Sequence, residues 1–437
     1  MSKRNFVLLV IILSLVVVVA FGFLYFRQPA DITSGDTEGT NFFSQFNPFG
    51  GTGTSKPPVT KPPVDVSGYV PPTGEEIQDA KLKKVSSMPI AGFTVFTKER
   101  IKETALVTGP EGADTKTGTP KTEFVLALRY VEKSNGIIYQ TFADKIEERK
   151  FSKTIIPKIY DAYFGSHGES VIMRYLKADD QTIETFVGNL PKENLGSPLG
   201  GENELKGSFL PVNIKDVSIS PDTLKAFYLF STGENMVGTV LNFSTNKKIQ
   251  IFDSPFTEWL SWWPNEKIIT LTTKPSALAL GYVYGFDQNG KNFSNILGNI
   301  NGLTTLTSPN GKLILYGDSS LAVGVYHTDT RISDFLGVKT LPEKCVWSGG
   351  SDFVYCAVPK LTGFGLYPDS WYQGEVSFSD QIWKVDIKTG NGVMILDPVT
   401  VLGGEDVDGI KLTVDQGENY LFFVNKKDSF LWELSLK

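Results

Sequence analysis

The chain has 437 residues, with 42 Lys plus Arg against 48 Asp plus Glu and 41% hydrophobic residues; this is a globular balance, too long for one ordinary core unless that core is built from repeats. Residues 1–27 hold Lys3, Arg4 and Arg27 and no acid, so the remainder is more acidic than the whole chain, at −9 against −6. A surface of that sign repels phosphate backbones, so nucleic acid is excluded as an expected partner.

From Phe6 to Phe26 run 21 residues without a charge, which at the helical rise cover about 30 Å, the thickness of a bilayer core. Lys3, Arg4 and the amino terminus precede this run and Arg27 follows it. The positive-inside tendency then keeps the N-terminus cytoplasmic and places the rest outside. A cleaved signal peptide with Ala20 and Gly22 as its small pair is the rival reading. The apolar run continues through FLYF past that pair, which favours an uncleaved signal anchor. Residues 1–27 are therefore expected to be a cytoplasmic tip and transmembrane helix, with the membrane as partner through residues 6–26.

Residues 28–78 are rich in Gly, Pro, Thr and Ser and contain the tandem KPPVTKPPVD, which favours extended polyproline conformation. This predicts a disordered stalk. Within it Phe42, Phe43, Phe46 and Phe49 show no amphipathic period; a docking segment and a plain spacer both stay open, with the spacer favoured.

The remainder, 79–437, is read as one all-β domain. VSISPDTLKAFYLF, LSWWPNEKIITLTT, LTTLTSPNGKLILYG and KCVWSGGSDFVYCAV each place an apolar run, a tight turn and a second apolar run in order. With Pro221, Pro264, Pro309 and Gly349 as equivalents the spacings are 43, 45 and 40 residues. Two further strand candidates lie between successive hairpins, and four short strands at that period make a propeller blade. Fainter copies precede them around Gly136 and His167. The C-terminal stretch IKLTVDQGENYLFFVNKKDSFLWELSL supplies three strands, and KLKKVSSMP at 81–89 is the expected fourth, closing the ring as a clasp. The prediction is a β-propeller of seven four-stranded blades, with six or eight still open. In the turns, Ser308 and Asn310 are expected to bond locally rather than to act on a ligand.

The SPDG-like turn followed by an apolar strand resembles the repeat of TolB-like and other WD-repeat-like propellers. The resemblance covers about 79–437 and implies the fold rather than a function. The Gly-His and Trp-Asp pairs of true WD repeats are missing, so their structural network is not expected.

Cys345 and Cys356 are the two cysteines. Pairing their strands about Gly350 and Ser351 sets them opposite each other, close enough for a disulfide, which an oxidising exterior would let form. Two buried thiols are the alternative. The two histidines, His167 and His327, leave little for a multi-histidine metal site or a histidine triad, and no G-x-S-x-G elbow is present. Carboxylate pairs are too numerous on such a disc to mean anything singly. The inner strands VSIS, LSWW, TTLT and CVWS offer mostly Ser, Thr and Trp. No cofactor is implied.

Two clusters bear on binding. GGEDVDGIKLTVD holds Glu405, Asp406, Asp408 and Asp415; Asp406, Asp408 and Asp415 make a weak calcium candidate, because Gly404 stands at the first ligand position and no helices flank the loop. An insertion, PKLTGFGLYPDSWYQGEVSFSD, delays the third strand of the sixth unit and should emerge on the face that carries Glu405 to Asp408. Phe364, Tyr367, Trp371 and Tyr372 either project there beside an acidic rim, as recognition surfaces do, or fold over the disc and bury themselves. A second insertion at 100–120 is expected to be a flap on the opposite face.

Two functions survive. The first is a membrane-anchored extracytoplasmic propeller that acts as a binding or scaffold module of the cell envelope, with an envelope or extracellular protein or glycan as partner. The second is a propeller-type hydrolase or lyase acting on envelope polysaccharide or peptide, which would require acids or Tyr and Arg pairs to converge on the central channel. The inner-strand residues favour the first.

Overall fold

A computed structural model describes residues 81–102, 121–193, 203–401 and 403–437. The expected anchor, stalk and nearly all of the 100–120 flap lie outside the described residues. Among the described residues no helix is long and apolar enough to cross a membrane.

Seven four-stranded antiparallel sheets form a ring, a β-propeller. After β1 (Leu82–Lys84), blade one takes β2–β5 within 90–150, blade two β6–β9 within 159–209, and blade three β10–β13 within 214–254. Blade four takes β14–β17 within 259–301, blade five β18–β21 within 304–339, and blade six β22–β25 within 345–396. Blade seven combines β26–β28, within 409–435, with β1 at its outer edge. Leu82, Lys83 and Lys84 pair with Leu434, Glu433 and Trp432, so the ring closes with the expected clasp.

The core is distributed around the ring. Buried apolar side chains gather into one cluster at each interface between neighbouring blades, including the one that joins blade seven to blade one through Phe422, Val424, Leu128 and Tyr130. Period-2 alternation produces this, because each blade must bury both of its faces. Where β2 (Ile90–Ile101) meets β6 (Ile159–Gly165), a Cβ on Gly92 would stand 2.0 Å from the Ala162 carbonyl oxygen; only glycine permits that approach.

The recurring turn is held by its own side chains. Ser308 Oγ accepts from Leu313 N–H at 3.1 Å and donates to Asn310 Oδ1 at 2.7 Å, and Asn310 Oδ1 accepts from Lys312 N–H at 2.8 Å. Ser220 and Asp222 do the same in blade three. These residues are turn-formers.

In blade six, β22 (Cys345–Trp347) pairs with β23 (Phe353–Pro359) so that Cys345 opposes Cys356, and the two form a disulfide with an S–S distance of 2.09 Å. Replacing both with serine is expected to cost about 2 kcal/mol, since the cross-link closes only a short loop. Denaturant midpoints of the two proteins, with and without reductant, measure it.

Candidate functional site

The blade-six insertion joins β23 to β24 (Asp380–Asp386) and folds over the disc. Tyr367, Trp371 and Phe378 are buried and pack with Leu321 and Leu341. One helical turn, Asp369–Tyr372, sets their spacing. Its anchors reach several blades: Asp369 Oδ2 accepts from Ala277 N–H of blade four at 2.6 Å, and the Tyr372 hydroxyl donates to Glu343 Oε1 at 2.6 Å. Lys426 of blade seven donates to the Trp371 carbonyl and lies 3.9 Å from the centre of its ring. Tyr367 and Trp371 therefore do not project as recognition aromatics, because their rings supply the core that fixes the loop. Tyr372 is half-exposed, and Phe364 stands fully in solvent at 108% relative exposure.

Beneath the loop lies a buried ion cluster. The Lys344 ammonium donates to Asp380 Oδ2 at 2.7 Å and to Asp408 Oδ1, and all three side chains are fully buried. Asp408 Oδ2 accepts from the Trp371 indole at 3.0 Å, from Phe378 N–H at 3.0 Å and from the Ser377 hydroxyl at 3.2 Å. Burial alone would raise the Asp408 carboxyl, but Lys344 and these donors hold it below its ordinary range. Burial pushes Asp380 up to about 6, against the pull of Lys344.

Asp408 is therefore an interior group, not part of an acidic rim. The other two rim acids also have cations: Glu405 meets Lys84 at 2.6 Å, and Asp406 meets Lys427. Asp415 caps its own turn, accepting from Asn419 N–H at 2.7 Å and Tyr420 N–H at 2.6 Å. Asp406, Asp408 and Asp415 thus serve three separate local structures. Among the described residues no group of three or more His, Cys, Asp or Glu is placed to hold a metal ion.

Glu343 carries a pH dependence. Desolvation pushes its carboxyl up to about 7, opposed by the Tyr372 hydroxyl, Lys344 and Lys426. The folded state then keeps a proton that the unfolded chain releases near its ordinary value. This contribution is full below that value and is lost as pH rises through about 7. Asp380 acts in the same direction, whereas carboxyls held low, such as Asp408, respond only in stronger acid. Thermal stability is expected to fall between about pH 4.5 and 7, and Glu343→Gln to flatten that fall. An unchanged slope in the variant would contradict this.

A second polar cluster occupies the central channel, where the sequence reading expected mostly Ser, Thr and Trp. Lys411 of β26 (Gly409–Val414) reaches from blade seven to Asp161 of β6 at 2.6 Å and to the Ala91 carbonyl at 2.8 Å. It sits at a shift in strand register with φ +52°, a left-handed conformation uncommon outside glycine. Asp161 also accepts from the Tyr163 hydroxyl at 2.5 Å and from Arg174 at 3.3 Å. Asp216 of β10 (Ile214–Ile219) accepts from Ser261 N–H and Oγ at 2.5 and 2.7 Å, and burial raises its carboxyl. The inner strands of blades two, three and seven carry Asp161, Asp216 and Lys411, and Arg174 comes from the second strand of blade two. Their signal, in IYDAYFG, IKDVSI and GIKLTV, is one or two charged residues per strand.

Fold and site define a seven-bladed β-propeller with a blade-six insertion anchored across part of one face. No family model matches the chain, and no curated protein matches it. Solved structures similar to it include an oligogalacturonate lyase in complex with manganese, at 8% identity and TM-score 0.48, covering 71% of this chain and 86% of that one. The oligogalacturonate lyase VPA0088 of Vibrio parahaemolyticus is similar at 8% identity and TM-score 0.48, with 72% and 86% covered. At that identity the likeness concerns the shape of the fold alone.

Proposed function

We propose that the chain is a membrane-tethered, extracytoplasmic binding module of the cell envelope whose recognition element is the blade-six loop. The supporting observation is the loop's division of labour. Tyr367, Trp371 and Phe378 are buried as anchors, while Leu361, Phe364 and Leu366 stand 85%, 108% and 55% exposed. A loop held in place by its own core meets a partner at little ordering cost. Leu361 and Leu366 offer a sugar neither a stacking face nor a hydrogen bond, so the chemistry favours an apolar protein surface over a glycan.

The test is a pull-down from solubilised envelope with wild type and with Leu361→Ser plus Phe364→Ser, two exposed sites whose change leaves the fold intact. Loss of one defined partner with an unchanged melting temperature is expected; equal capture would contradict the reading.

The hydrolase or lyase alternative draws support from the channel cluster, because Tyr163, Asp161, Arg174 and Lys411 give one place both acids and bases. Turnover of envelope polysaccharide or peptide that Tyr163→Phe abolishes would favour it.

A further inference from the structure

The cluster under the blade-six loop has more order than an anchoring ion pair needs. A lone carboxylate would neutralise Lys344, yet two carboxylates flank it, and Asp380 keeps one buried oxygen, Oδ1, without a hydrogen-bond partner. The two oxygens of Asp408 are also unlike. Oδ1 faces the lysine and shares the Trp371 indole N–H at 3.2 Å, whereas Oδ2 receives that N–H at 3.0 Å together with the Phe378 N–H and the Ser377 hydroxyl. Fixed donors converging on one carboxyl oxygen are what stabilises negative charge as a nucleophile adds to the carbon. The Trp371 and Phe378 rings lie 5.2 Å from the Lys344 nitrogen and close it off from water.

We propose that Lys344 and Asp408 condense into an intramolecular amide, with Asp380 relaying the protons. Asp380 Oδ2 takes a proton from the ammonium, across 2.7 Å. A dry site favours this neutral pair over separated charges. Asp380 hands that proton to Asp408 Oδ1, the freed amine lone pair forms the C–N bond to the now neutral carboxyl at Cγ, and charge gathers on Oδ2 against its three donors. The bond to Oδ1 then breaks. Of the three ammonium protons, one stays on the amide nitrogen and two leave with Oδ1 as water, carried by Asp380, which ends as it began. No oxidant or activating group enters the balance. The raised Asp380 carboxyl, at about 6, suits a group that must both take and return a proton near neutrality. The product would staple the entry of blade six to that of blade seven, since Lys344 precedes β22 and Asp408 precedes β26.

Mass spectrometry of the purified full chain decides it. After disulfide reduction the wild type is expected to be lighter than its sequence by one water, to resist trypsin after Lys344, and to give a branched peptide joining Lys344 to Asp408. Lys344→Arg should restore the full mass, and Asp380→Asn should leave Lys344 open to trypsin in the denatured chain. A wild type of full sequence mass, cleaved after Lys344, shows an ion pair only and overturns the proposal, whatever the variants do. A branch at Asp380 instead would overturn the assigned roles.

Discussion

Replacing Lys344 with methionine is expected to cost about 3–5 kcal/mol, among the largest losses any single substitution here can cause. Methionine matches the stem but leaves Asp380 and Asp408 facing each other in a dry site, both fully buried, with no cation between them. One or both must then take up a proton or draw in water, and either response disturbs the Trp371 and Phe378 contacts that seat the loop. Denaturant midpoints followed by tryptophan fluorescence measure the cost, and hydrogen exchange should show protection lost first across 366–378. An exposed lysine such as Lys267 changed in the same way should stay within about 0.5 kcal/mol. Equal midpoints for the two variants would mean that the cluster does not hold the face together.

A chain that begins at residue 86 is expected to lose its ring. It lacks β1 and with it the burial of Leu82 and Val85, 3% and 2% exposed, worth about 1.5–3 kcal/mol each. It also frees the edge of β28 (Leu431–Ser435), which β1 covers through the Leu82, Lys83 and Lys84 pairing. An uncovered edge seeks other strands, so the shortened protein should aggregate or melt broadly at lower temperature. A chain that begins at residue 79 keeps the clasp and should melt as one transition. Similar melting and gel-filtration profiles for the two would show that closure rests on the interblade clusters alone.

Much of this architecture was legible because its signals are local and repeated. The Ser-Pro turns at 220–221 and 308–309 mark hairpins whose side chains bond within five residues, so sequence spacing reports them directly. The clasp was legible because a final unit of three strands requires a fourth, and the cysteine register because a tight turn fixes which residues oppose. The site was less legible, for a physical reason. Trp371 reads as a loop aromatic, and nothing near it in sequence shows that Asp408, Phe378 and Lys426 will enclose it. Lys344 follows Pro342 and Glu343 and reads as a surface residue; its partners lie 36 and 64 positions away. In the channel, Lys411 and Asp161 are 250 positions apart. Closure of the ring brings them together, and no local periodicity encodes that meeting.

On the proposed function, the exposed tip of the blade-six loop is where the protein meets its partner. A photo-crosslinking residue placed at Phe364 in cells tests it most directly, with Phe335 as the comparison, exposed on the outer strand of blade five. One discrete crosslinked species is expected from position 364, absent from 335 and lost when Leu361 and Leu366 are changed to serine. No crosslink at 364, or the same species from both positions, would contradict it.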